Sequence, residues 1–301
     1  MKNMEDIAEE IRRAQIYPAT TRVELNDKMS STLFSLTDRE FSIIRDGRQA
    51  FYIKEGKVKD ETVRSFFRIR SDSDEPPTEI DRDVLNVCNS EFNAGNIYTT
   101  PSIIYRALTG KIGDSDANPS KTQLAAIKNS VTKLRRMDFM PDVNDAFAKL
   151  KYDDVTLKIK ESSVLPCVVL DAVVNGQLVE DAIYFDRESP LMAIANAKDQ
   201  IIRYDVSLLD VPNQNNTPRV IALKNYTFHR VFEIIVHNMP PTVTFDDIFT
   251  KCRISANARE AKVDARTVVK TTFEHLKTNG VVKSFELVKK GVAVYAIKFT
   301  F

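Results

Sequence analysis

One pattern occurs twice in this chain, in residues 119–139 and 264–282. Each copy begins with polar residues, carries an apolar stripe at helical spacing, and ends with basic residues before a strand-like segment. Aligned copies match Val131 with Phe273, Leu134 with Leu276, Arg135 with Lys277, and Phe139 with Val281. Such a helix, placed third in a small helical core and followed by a hairpin, is typical of the recognition helix of a winged helix-turn-helix domain.

The residues around the first copy predict a domain over 79–186, with a first helix at 81–94. Thr99 or Thr100, followed by Pro101, predicts the start of a second helix, because threonine caps free N–H groups and proline fits the first turn. The third helix is expected at about 120–136. Its apolar stripe is formed by Leu124, Ile127, Val131 and Leu134. The strands predicted after it, as a long wing, are 155–160, 164–174 and 178–186.

A second domain is predicted over residues 219–301, after a connector at 187–218. Thr244 is expected to cap its second helix, and the third helix is expected at 264–278. Two strands, 281–287 and 291–301, then predict a wing hairpin that turns at Lys289-Lys290-Gly291.

The first 75 residues carry no third copy of the pattern. The sequence predicts a short helix at 4–14, a hairpin turn at Asp46-Gly47 and a strand at 63–70. Pro76-Pro77 predicts a linker, since tandem prolines stop helices and strands. We therefore expect an α+β fold: two winged helix-turn-helix domains in tandem, with a β-rich N-terminal extension (residues 1–75) as an accessory region for self-association or partner binding.

Charge is segregated along the chain, although the formal net charge is only +1. Residues 251–301 hold eleven Lys or Arg against four Asp or Glu, and residues 119–137 hold five basic and no acidic residues. Local basic surface of this kind is what phosphate contacts require. The pattern predicts double-stranded DNA as the partner.

The amino-terminal half of each third helix is expected to meet base edges, because the major groove accepts one helix. Arginine can pair with two guanine atoms and glutamine with two adenine atoms, while lysines of the wings suit phosphate. The predicted DNA-contacting residues are Lys121, Thr122, Gln123, Lys128, Arg135, Arg136, Lys158, Lys160, Arg259, Lys262, Arg266, Thr267, Lys270, Lys289 and Lys290.

Signals for chemistry are absent from the sequence. There is no phosphate-cradling glycine loop, and the three histidines and three cysteines form no ligand motif. We expect no catalytic residues, no metal and no cofactor. No apolar run approaches the length of a membrane span, and the start does not resemble a signal peptide, so a cytoplasmic protein is expected.

Over residues 79–301 the element order resembles that of the replication initiators of theta-replicating plasmids. The resemblance lies in the order of elements and in the two third helices. The residues to which it would assign DNA contacts are Lys121, Gln123, Lys128, Arg266, Thr267 and Lys270. It implies binding of repeated origin sites of a plasmid, phage or integrative element, recruitment of host replication proteins and dimerisation. The longer N-terminal region and the longer first wing depart from that family. A transcriptional regulator with the same DNA chemistry and a protein–protein scaffold remain alternatives.

Overall fold

A computed structural model of the protein describes residues 18–36, 51–58, 61–72, 75–141, 149–152, 155–158, 161–174, 177–197, 199–291 and 293–301. The helices in these ranges are α1 (Lys28–Leu33), α2 (Glu79–Asn93), α3 (Pro101–Thr109), α4 (Lys121–Arg135), α5 (Pro190–Ala197), α6 (Pro218–Val236), α7 (Phe245–Lys251) and α8 (Arg259–Thr278). The strands are β1 (Thr21–Leu25), β2 (Phe51–Val58), β3 (Glu61–Ser71), β4 (Tyr98–Thr99), β5 (Met137–Pro141), β6 (Lys149–Tyr152), β7 (Val155–Lys158), β8 (Ser162–Ser163), β9 (Cys167–Val174), β10 (Gln177–Phe185), β11 (Ile201–Asp205), β12 (Thr242–Thr244), β13 (Ser284–Lys290) and β14 (Ala293–Thr300). The predicted helix at 4–14 and the turn at Asp46-Gly47 lie outside the described residues.

Two modules repeat one arrangement of elements. In the first module the order is α2, β4, α3, α4, β9 and β10, and in the second it is α6, β12, α7, α8, β13 and β14. Both three-stranded sheets place the short first strand beside the last strand, in the orders β4-β10-β9 and β12-β14-β13. This confirms the mixed α+β class. Within the described ranges every helix is too short or too polar to reach across a lipid bilayer.

The predicted helix starts depend on local capping. The Thr100 hydroxyl accepts a hydrogen bond from the N–H of Ile103, and Pro101 opens α3. The Thr244 hydroxyl accepts from the N–H of Asp247 at the start of α7. These bonds satisfy amide groups that no helical carbonyl can reach, and of the two candidate threonines it is Thr100 that caps α3.

The third helix of the second module begins earlier than predicted, at Arg259 instead of Asp264. Arg259 and Lys262 therefore lie in the first turns of α8 instead of in the loop before it. The apolar stripe continues back through Ala261, which packs on the second core, and Ala265, which is fully buried. A helix extended by this stripe adds buried surface, which outweighs the absence of a capping side chain at Ala258.

The wing of the first module is shorter than predicted, because strands of other sheets lie between α4 and β9. Between α4 and β9 the chain forms β5 and β8, which join β2 and β3 in a sheet of order β2-β3-β5-β8. Strand β7 pairs only with β6 among the described strands. The described part of the segment predicted at 155–160, Val155–Lys158, therefore pairs with the strand immediately before it and not with the wing strands β9 and β10.

Strand β1 belongs to the folded body of the protein, and not to a separate accessory region as predicted. It pairs antiparallel with β11, from Thr21 opposite Asp205 to Leu25 opposite Ile201. Five apolar residues of β1, α1 and the segment just after α1 are at most 4 % exposed and belong to the first core, namely Val23, Leu25, Leu33, Phe34 and Leu36. On the partner strand, Ile202 and Tyr204 pack in the second core. The N-terminal region and the connector thus supply one strand pair that contributes to both cores.

The other edge of β1 is satisfied by a helix. Side chains of α2 accept hydrogen bonds from the backbone of the N-terminal segment: Ser90 Oγ from Val23 at 2.8 Å, and Glu91 Oε1 from Ala19 at 3.1 Å. Because unpaired buried amides are costly, these polar residues of α2 fix the strand in place. Pro76 and Pro77 are also buried, so they do not form the predicted solvated linker.

Gly110 allows the end of α3 to lie directly against the backbone of Leu209 and Asp210 in the connector. It ends α3 with a left-handed φ of 81°, and a Cβ atom there would lie 2.1 Å from the Asp210 nitrogen and 2.5 Å from the Leu209 carbonyl carbon. We expect Gly110→Ala to lower the free energy of unfolding by about 2–5 kcal/mol, combining left-handed strain with a backbone clash. Urea unfolding measures this. Gly113→Ala is the control, since a Cβ there meets nothing within 4 Å; equal effects of both changes would contradict this packing.

Candidate nucleic-acid interface

An exposed stripe runs along the first half of α8. Arg259, Val263, Thr267 and Lys270 are all exposed and are separated by four, four and three residues, so they lie on one helix face. Glu260 and Asp264 are exposed beside the stripe. Of the predicted DNA-contacting residues, Arg259, Thr267 and Lys270 lie together on this accessible helix face, and Val263 between them was not predicted.

Lys262 and Arg266 rest on the aromatic rings of α7. The Lys262 ammonium lies 5.3 Å from the Phe249 ring centre, and the Arg266 guanidinium lies 5.5 Å from Phe245 and 5.2 Å from Phe249. Lys262 also donates to the Ala256 carbonyl at 2.9 Å. Stacking on aromatic faces restricts both side chains before any ligand arrives, which reduces the entropy lost on binding.

Lys270 and Thr267 make contacts within α8. Lys270 lies 3.4 Å from Glu274, and both side chains are 54 % exposed. Such a pair contributes about 0–1 kcal/mol, so a phosphate can compete with it. The Thr267 hydroxyl donates to the Val263 carbonyl at 3.2 Å. The hydroxyl is therefore engaged, and the methyl group is the free part of Thr267.

At the start of α4 the predicted residues have unequal environments. Lys121 and Thr122 are exposed. The Gln123 amide is engaged at both ends: its oxygen accepts from the Ser120 N–H at 2.6 Å, and its nitrogen donates to the Asn216 carbonyl. The first bond completes a capping box. Adenine pairing by Gln123 would require both bonds to break, which the sequence pattern did not reveal.

The basic residues further along α4 are partly committed within the protein. Lys128 forms an ion pair of 3.0 Å with Asp181 of β10, and Lys133 forms one of 2.9 Å with the buried Asp81. Arg135 is half-buried, and Arg136, at the carboxyl end of the helix, is exposed. The first module therefore offers fewer free cations on its third helix than the matching sequence patterns predict.

The described lysines among those predicted at the wings lie in strand hairpins. In the second module β13 and β14 pair, and Lys289 is exposed near the turn, where Gly291 has a φ of 63°. Lys290 lies opposite Ala293. Ile297 and Phe299 are buried, whereas Tyr295 is 43 % exposed, because the hairpin extends beyond the core. The side chains of Lys158 and Lys290, and the whole of Lys160, lie outside the described residues.

A buried polar cluster joins the two modules, and no pattern in the sequence indicates it. Its members are Arg22 and Glu24 of β1, Arg82 and Asn86 of α2, Tyr204 of β11 and His229 of α6. The Glu24 carboxylate accepts from the Arg22 Nε at 2.7 Å, the Tyr204 hydroxyl at 3.0 Å and the Asn86 amide. Three charged or polar donors from separate elements thus converge on one buried carboxylate, which fixes their relative positions.

His229 extends the cluster into the second module. Arg82 donates to the His229 Nε2 at 2.8 Å and to the Leu25 carbonyl at 2.8 Å. Burial, followed by the positive charges of Arg82 and Arg230, holds the pKa of His229 well below its usual value. The ring is therefore neutral, with its proton on Nδ1, 3.7 Å from Glu24. Among the described residues no group of His, Cys, Asp and Glu is arranged to hold a metal ion.

Comparisons with known proteins give little beyond this geometry. No family model matches the sequence. No curated protein matches it either. Among solved structures the chain is similar to a crystal structure of RctB domains 2-3, with a TM-score of 0.39 and 9 % sequence identity, over 84 % of this chain and 92 % of that one. The functional conclusion therefore depends on the residues and contacts of this chain.

Proposed function

We propose that this chain is a non-enzymatic, sequence-specific double-stranded DNA-binding protein built from two winged helix-turn-helix modules. The observation that carries the proposal is the repeated order of elements with the same strand order in both sheets. In each module this order makes a basic helix the third of three and a hairpin the last element. That arrangement suits one helix in the major groove and a hairpin against the backbone.

In this proposal the two modules make different contributions to DNA recognition. The stripe on α8 is exposed and basic, and Arg266 and Lys262 are already oriented on aromatic rings. On α4, Gln123 and Lys128 are held by contacts within the protein. The second module therefore supplies most of the base discrimination, and the first contributes backbone contacts through Lys121 and Arg136.

The link between the modules supports binding to one composite site. The β1–β11 pair and the buried polar cluster both involve elements of each module. The Asn225 side chain of α6 also donates to the Leu108 carbonyl of α3 at 3.3 Å. Connections of this kind limit how far two third helices can move independently, so two adjacent major grooves would be engaged together.

Within this class we propose replication initiation at repeated origin sites, with recruitment of host replication proteins. The support is the tandem order of elements described for residues 79–301. Genomic context tests it: direct repeats of roughly one to two helical turns beside the gene support an initiator, since one turn is about 10–10.5 bp. An adjacent divergent operon without repeats would contradict it and favour a transcriptional regulator.

Selection from a pool of random duplexes tests DNA binding itself. We expect an enriched sequence, and affinity for it should fall steeply with salt because phosphate contacts release counterions. If no sequence is enriched, specific binding is excluded. If affinity for every duplex is negligible as well, the fold serves as a scaffold.

Replacement of Arg266 should identify a base-reading residue. We expect Arg266→Ala to weaken binding of the selected site by about 1–3 kcal/mol and to relax preference at one base position. Titration of the selected duplex and of its single-base variants measures both effects.

Two control variants separate charge from recognition. Arg266→Lys keeps the positive charge but loses the planar fork, so it should retain the salt slope and still lose discrimination. Lys289→Ala should weaken all duplexes alike and reduce the salt slope by about 0.9, the value of one phosphate contact. Unchanged base preference in Arg266→Ala would contradict the assigned role.

A further inference from the structure

Val263 occupies a position on α8 that the fold does not explain. It is 54 % exposed, between Arg259 one turn before it and Thr267 one turn after it. Valine is a poor residue for an exposed helix position, because its branched Cβ loses rotamer freedom there. Burial does not compensate this cost, since the apolar residues packed on the second core include Ala261 and Val268 but not Val263.

Thr267 continues the apolar surface. Because its hydroxyl donates to the Val263 carbonyl, the methyl group of Thr267 is left to face the surroundings. Val263 and this methyl form a short apolar strip with Arg259 at one end and Lys270 at the other. The strip lies in the half of the third helix that would enter the major groove.

The neighbouring charges favour bases over phosphates as the partner of this strip. Glu260 and Asp264 are exposed beside it, and carboxylates repel phosphate. Among the groups at the base edges of the major groove, the 5-methyl group of thymine is the apolar one. We propose that Val263, together with the Thr267 methyl, contacts a thymine 5-methyl group and is a specificity-determining residue. This inference rests on the proposed DNA-binding function.

Deoxyuridine substitution tests the contact directly. In the selected duplex each thymine is replaced in turn by deoxyuridine, which removes the methyl group and keeps base pairing. We expect one replacement to weaken binding of the full chain by about 3- to 10-fold, the scale of one or two buried methyl groups. Val263→Ala should lose a similar factor on the thymine duplex and show no further loss on the deoxyuridine duplex.

Matched variants exclude indirect effects. Val263→Ala should not lower stability, because alanine is the better helix former at an exposed position, and urea unfolding checks this. Val236→Ala, at an exposed apolar residue (56 %) at the end of α6, outside the third helix and the wing, should leave the thymine preference unchanged.

Two outcomes would overturn the inference, and they are distinguishable. If no duplex sequence is selected, the DNA-binding proposal fails and this inference fails with it. The thymine contact alone is excluded if a site is selected but no deoxyuridine replacement weakens binding. It is also excluded if Val263→Ala loses as much affinity on deoxyuridine replacement as the unaltered protein does.

Discussion

A chain that begins at residue 79 should fail to fold the first module. The deletion removes β1, α1 and the segment after α1, and with them five apolar side chains that lie in the first core at 0–4 % exposure: Val23, Leu25, Leu33, Phe34 and Leu36. Burying five such side chains contributes on the order of 10 kcal/mol, which equals the whole stability of a typical domain. It also removes Glu24, which leaves Asn86 and Tyr204 without their buried acceptor.

Circular dichroism and urea unfolding of residues 79–301 measure this effect. We expect the shortened chain to lose fixed tertiary structure or to aggregate. A point variant gives the same information in the full chain: Val23→Asp places a charge at a fully buried position and should cost about 3–5 kcal/mol.

The matched control lies on the same strand. Thr21 is exposed, so Thr21→Asp should change stability by no more than about 0.5 kcal/mol. A shortened chain that unfolds cooperatively with the stability of the full chain would show that β1 is dispensable and would restore the accessory region expected from the sequence.

Lys224→Met should stabilise the protein, and by more at neutral pH than at high pH. Lys224 of α6 is 1 % exposed, and its ammonium lies 3.5 Å from the Asn216 side-chain oxygen. Burial lowers the pKa of Lys224 to about 7, and the negative charges of Asp210 and Asp83 offset only part of that shift. Replacing a buried charge by an apolar side chain of similar volume gains about 1–4 kcal/mol.

The pH window follows from the two pKa values of Lys224. The unfolded chain holds the proton up to about pH 10.5, whereas the folded chain releases it above about pH 7. Between these values the unfolded state binds more protons, so the stability of the unaltered protein rises with pH. The advantage of Lys224→Met should therefore be largest near pH 7 and shrink towards pH 10.5.

Urea unfolding of both proteins at pH 7 and pH 10 measures the difference. Lys277→Met, at an exposed position on α8, is the control and should show no such pH dependence. If the two proteins keep a constant stability difference across this range, Lys224 is not held in a low-dielectric environment.

The residues that we propose to contact DNA were only partly predictable from the sequence. The pattern placed Arg266, Thr267 and Lys270 on one helix, and the structure has them there. It did not predict that aromatic rings hold Arg266 or that Gln123 is bonded at both ends. The aromatic rings and Asn216 lie outside the helix that carries the predicted residue, and helical spacing describes only neighbours along one helix.

Local signals in the sequence determined the helices and their order. Thr100 with Pro101, Thr244 and Gly110 locate helix ends because capping depends on residues within one turn. The helical spacing of the apolar residues determined the buried face of α4, where Ile127, Val131 and Leu134 are at most 3 % exposed.

Only the tertiary structure decided which strands pair and which charges are buried. Strand β1 pairs with β11 about 180 residues later, and β3 pairs with β5 across the first module. A strand carries no sequence mark of its partner when the connection is long, because either edge can accept any strand of suitable period. Glu24 likewise resembles a surface residue in the sequence, and only the convergence of Arg22, Asn86 and Tyr204 makes its burial favourable.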